Sequence, residues 1–89
     1  MDIIELTNIL DSLEGEWEAK SHDEAKGLID KPVHNSVGEI GSQNFYQVEI
    51  NAFYDDPISQ SGDIRIMISV DDGGRRAFKP LVREVIISE

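Results

Sequence analysis

Two runs of alternating residues, NFYQVEINAFY at 44–54 and GDIRIMISV at 62–70, constrain this chain more than any other feature. In the first, Tyr46, Val48, Ile50, Ala52 and Tyr54 share one side, with Gln47, Glu49 and Asn51 opposite; in the second, Ile64, Ile66, Ile68 and Val70 oppose Arg65 and Ser69. A period of two belongs to a half-buried strand, whose successive side chains point to opposite faces. The connecting DDPISQSG is short and polar and contains Asp, Pro and Gly. The two strands are therefore expected to form an antiparallel hairpin.

The rest of the chain has to cover that hairpin. Ile3, Leu6, Leu10, Leu13 and Trp17 recur at spacings of three and four, with Ile4 and Ile9 widening the stripe and acids on the far side. This is an amphipathic helix with one core face. Gly15 allows two ends, since glycine weakens a helix interior by about 1 kcal/mol and is also common just past a terminus. The helix either stops at Glu14 or runs to about Lys20, and the longer form is favoured because Trp17 falls on the apolar seam. SHDEAKGLI adds a short helical turn, with Ser21 as cap, Glu24 as its capping-box partner and Gly27 as its end.

The middle, DKPVHNSVGEIGSQ, reads as loop, with an optional short strand around Val37 to Ile40. In PLVREVIIS the residues alternate as in a strand, but Pro80 and the spacing of Leu81, Val82, Val85 and Ile86 also fit a helix; the β-branched Val82, Val85, Ile86 and Ile87 favour strand. The expected architecture is a single α+β domain over 1–89 in two layers, an N-terminal amphipathic helix packed on a three-stranded, optionally four-stranded, antiparallel meander.

Composition narrows function chiefly by exclusion. With no cysteine in 89 residues, disulfides, thiolate metal sites and cysteine nucleophiles are ruled out. The start MDIIELTNIL has no signal-peptide pattern and no apolar run reaches the ~18 residues of a membrane span, so a cytoplasmic protein is expected. Net charge is −10, unevenly spread: residues 1–30 hold nine acids against two lysines, 31–62 balance at −3, and 63–89 are neutral. Such a field repels nucleic acid and anionic membranes and draws basic partners. It also keeps a small chain soluble.

Candidate chemistry is sparse. VDDGGRRAF at 70–78 lies between two strands, and Asp72, Gly73 and Gly74 are explained by a reversing turn. The stretch has neither the ligand spacing of a calcium loop nor the Lys-Ser/Thr and following helix of a phosphate loop. Arg75 and Arg76, with Lys79 and Arg83 close by, either answer the acidic helix or present guanidinium groups to an acidic partner or ligand. His22 and His34 stand apart in polar segments, and no serine has a nucleophile-elbow context. No cofactor is implied, and catalysis finds no support in the pattern.

The expectation is an interaction protein that self-associates as a homodimer or occludes a basic partner surface. Its candidate contacts are the helix acids Glu5, Asp11, Glu14, Glu16 and Glu18, the apolar Phe45, Phe53 and Met67 on the strand face opposite the helix, and Arg75 and Arg76. The alternative is a small-molecule pocket between helix and sheet, lined by Trp17 and Tyr54, with a ligand carboxylate held by Arg75 or Arg76.

Overall fold

The computed structural model describes residues 2–39, 41–73 and 80–89. Two helices, α1 (Ile3–Glu18) and α2 (His22–Asp30), precede four strands, β1 (Val33–Val37), β2 (Tyr46–Tyr54), β3 (Ile64–Asp71) and β4 (Leu81–Ile87). The strands form one antiparallel meander in the order β1-β2-β3-β4. This is the two-layer α+β arrangement anticipated, with the fourth strand present and a second full helix added.

Asp2 caps α1, its Oδ1 accepting the Glu5 amide at 2.8 Å, which satisfies one of the otherwise unpaired donors of the first turn. Gly15 does not stop the helix. Leu13 and Trp17 on either side of it pack against the core, and that contact outweighs the glycine's cost. Ser21 caps α2 as expected, accepting the Glu24 amide at 3.2 Å and donating to the Glu24 carboxylate at 3.2 Å. Gly27, by contrast, was expected to end the helix and does not: α2 continues to Asp30 because helical geometry places Leu28 beside Ala25, and both are buried.

The middle segment also differs from expectation. Its strand lies earlier than Val37 to Ile40, at Val33–Val37, and pairs with the first half of β2 from Val33↔Ile50 to Val37↔Tyr46. Asn35 occupies the inner face between Val33 and Val37, which hides the alternation until β2 is seen beside it.

The core is built on β3, where Ile64, Ile66, Ile68 and Val70 are all fully buried. Val48 and Ile50 of β2, Val85 and Ile87 of β4, Leu6 and Leu10 of α1 and Ala25 and Leu28 of α2 close around them. α1 lies over β3 and β4 and α2 over β2 and β3. Ile3 and Ile4 remain exposed at the start of α1, beyond the covered area. Both helices lie on one side of the sheet, so its other side is left without a helix.

Candidate functional site

The register brings the helix-free face together row by row. Phe53, Arg65 and Ile86 are neighbours across β2, β3 and β4; Asn51, Met67 and Glu84 form the next row; Glu49, Ser69 and Val82 form the third, extended onto β1 by His34. Phe53 is 45% exposed, Val82 47% and Ile86 46%, and Met67 between them is half-buried. Three exposed apolar side chains thus stand among Asn51, Glu49, Glu84, Ser69 and Arg65 on this face.

Arg65 is the fixed charge of this face. Its Nη2 and Nε donate to Asp55 Oδ1 at 2.7 and 3.0 Å, and its Nη1 contacts Glu84. The hydrogen bond to Asp55 is the largest influence raising its pKa, and the charges of Glu84 and Asp55 add to it. The arginine thus bridges Asp55, just past the end of β2, and Glu84 of β4 at one end of the face. Toward the other end of the face the acids are Glu49, with His34 Nδ1 at 3.9 Å, and Asp71, which accepts the Gly73 amide at 2.8 Å.

The expected contact residues do not share one surface. Phe45 precedes β2 and is only 5% exposed. Gly73 at the end of β3 approaches so closely that a Cβ there would lie 2.8 Å from Phe45 Cε1. The strand end thus buries Phe45 locally and removes it from the outer face, while Phe53 and Met67 stay on it. Val82 and Ile86 replace it there. Their place was concealed because β-branched residues stand both at the inward positions Val85 and Ile87 and at the outward positions Val82 and Ile86 of β4.

The helix acids stand on the opposite side of the sheet. Asp11, Glu14 and Glu18 recur at i, i+3 and i+7 and so share the flank of α1 toward β4. There Arg83 Nη1 reaches Asp11 at 2.9 Å and Glu14 at 3.2 Å. The Glu14 hydrogen bond is first among the influences that raise the Arg83 pKa, followed, against an opposing effect of burial, by the charges of Asp11 and Glu14. Of the basic cluster, Arg83 does answer the acidic helix. Glu5 and Glu16 fall on the other flank, eleven residues apart on nearly the same bearing. Arg75, Arg76 and Lys79 lie outside the described residues, as does Gly74, so of the expected turn only its start is described, where Gly73 has φ +80°.

Trp17 and Tyr54 line separate clefts. Trp17 sits with Leu13, Glu16, Val33, Val37 and Tyr46 in a groove of about 370 Å³ between α1 and β1, its ring 5.5 Å from Lys20 Nζ. Tyr54 faces His22, Lys26 and the loop after β2 in a polar cleft of about 300 Å³. In that cleft His22 Nε2 lies 2.7 Å from the Gly62 carbonyl, a contact that makes Nε2 the donor and positions the ring structurally. Among the described residues no three His, Asp or Glu side chains gather as a metal site, and no helix is long and apolar enough to cross a membrane. No family model, curated protein or solved structure matches the chain.

Proposed function

We propose that the protein is a small binding module that docks the helix-free face of its sheet onto a basic, partly apolar protein surface and acts by covering it. The observation that carries this reading is the exposed set Phe53, Val82 and Ile86, with Met67 between them, bordered by Glu49, Glu84, Asp55 and Asp71. Apolar anchors supply affinity once desolvated, and the surrounding acids select partner charge and raise the encounter rate. A second copy is a poorer partner for this face than a basic protein, since association would bring together two chains of net charge −10. A ligand carboxylate in the Trp17 groove would meet Glu16, which weakens the small-molecule alternative.

The test is site-specific photo-crosslinking. A benzophenone analogue at position Phe53 should give a covalent protein adduct in cell extract at low salt, and the adduct should fade as ionic strength rises, because exposed charges are screened beyond ~10 Å at 0.1 M salt. The same probe at Ser12, exposed on the solvent side of α1, should give none. Adducts at Ser12 alone, or at neither position, would overturn the reading.

A further inference from the structure

The β4 edge lies between the acidic flank of α1 on one side of the sheet and the apolar outer face on the other. β4 packs against α1 and β3 and, among the described residues, pairs with no strand on its other side. The hydrogen-bond parity of that edge follows from the hairpin. The Asp55 amide donates to the Asp63 carbonyl at 2.9 Å, in line with the β2–β3 register that ends at Tyr54↔Ile64. Antiparallel pairs alternate between bonded and non-bonded, so Arg65, Met67 and Ser69 spend their backbone groups on β2. Ile64, Ile66, Ile68 and Val70 then bond to Ile87, Val85, Arg83 and Leu81. The amides and carbonyls of Val82, Glu84 and Ile86 consequently point away from the sheet.

Natural edges are usually blunted by charged side chains, proline, a bulge or short length; the two charges within β4 are already engaged by neighbours, Arg83 by Asp11 and Glu14 and Glu84 by Arg65. β4 runs for seven residues, Leu81–Ile87, with no lysine or proline within it. We infer that the free edge of β4 accepts an extended segment of the partner protein as an additional outermost strand, in which basic and apolar side chains alternate. The alternation is dictated by what flanks the edge. On the helix side the incoming side chains pass Asp11, Glu14 and Glu18, of which Arg83 answers only one charge; on the outer side they meet Val82 and Ile86. Main-chain pairing supplies the affinity in such strand addition, and the alternating side chains supply specificity. A second copy fits less well: two-fold pairing centred on β4 sets Glu84 opposite its own image, a destabilising cross-strand contact.

This inference rests on the binding reading but is tested apart from it. The probe is a seven-residue peptide alternating lysine and valine, compared with a peptide of the same composition in blocked order and with one N-methylated on its pairing edge. In the free protein, the amides of Val82, Glu84 and Ile86 should exchange with solvent at least tenfold faster than those of Arg83 and Val85. The alternating peptide should slow those three amides at least tenfold, and the blocked and N-methylated peptides should not. Val82→Pro removes only an outward amide, which an edge strand tolerates; it should keep the circular dichroism of the fold and lose peptide binding, whereas Val82→Ala, which keeps the amide and trims one side-chain contact, should keep the fold and bind more weakly with Glu84 and Ile86 still slowed. If Val82→Pro fails to fold, the N-methylated peptide still decides. Equal binding of all peptides, no binding of any, or slow exchange at the three amides in a protein of dimeric mass would overturn strand addition. Crosslinking from Phe53 would be unaffected by those results, so the two readings fail separately.

Discussion

Gly73→Ala tests the packing that removes Phe45 from the outer face. Gly73 has φ +80°, and a left-handed conformation costs a side-chain-bearing residue roughly 1–2 kcal/mol. The new Cβ would also lie 2.8 Å from Phe45 Cε1 and 3.2 Å from Cδ1, whereas carbon atoms pack at about 3.5–4.0 Å. The ring is buried and has little room to yield, and overpacking of this kind costs about 1–3 kcal/mol. Together the two effects amount to about 2–5 kcal/mol. At roughly 4–8 °C per kcal/mol for a domain of this size, Tm should fall by about 8 °C or more. Thermal and urea unfolding followed by circular dichroism would measure the loss. A double-mutant cycle with Phe45→Ala separates the parts: without the ring, only the left-handed cost should remain, so Phe45→Ala should be milder in the Gly73→Ala background by about 1–3 kcal/mol. A Gly73→Ala protein within about 0.5 kcal/mol of wild type, or strictly additive effects, would refute the contact.

The two helix-interior glycines should respond in the opposite sense. An added Cβ at Gly15 or Gly27 meets nothing within 4 Å, so alanine at each should raise stability by about 0.5–1 kcal/mol, and a lower Tm in the double variant would show that the helices need glycine there. Ser21→Ala removes the acceptor of the Glu24 amide and should cost about 1 kcal/mol, with Ser21→Asp restoring most of it; equal melting of all three proteins would place the start of α2 elsewhere.

How much was legible in the chain depended on whether a signal was local. The β2 and β3 alternation, the stripe on α1 and the Ser21 and Glu24 cap are written in neighbouring residues, and each appears in the structure within a residue or two of its expected place. Gly27 misled because a propensity of about 1 kcal/mol was set against burial of Leu28, which is worth more and is invisible until the sheet lies beneath it. β1 was misplaced because Asn35 interrupts its inner face, and only pairing with Tyr46–Ile50 identifies the strand.

The candidate surface shows the same division. Periodicity alone assigned Phe53 and Met67 to the face away from the helix, since side chains alternate whatever the strand's neighbours are. Tertiary structure decided that Phe45 is covered by Gly73, that Val82 and Ile86 join the exposed set, and that Arg83 binds Asp11 and Glu14. Each of those facts depends on how segments distant in the chain are brought side by side. The acidity of the first thirty residues is fixed by composition, but its separation from the apolar face by the thickness of the sheet is not. That separation arises because both helices must bury their apolar faces against the same side of β3, which leaves their acids on one side of the molecule and the open sheet on the other.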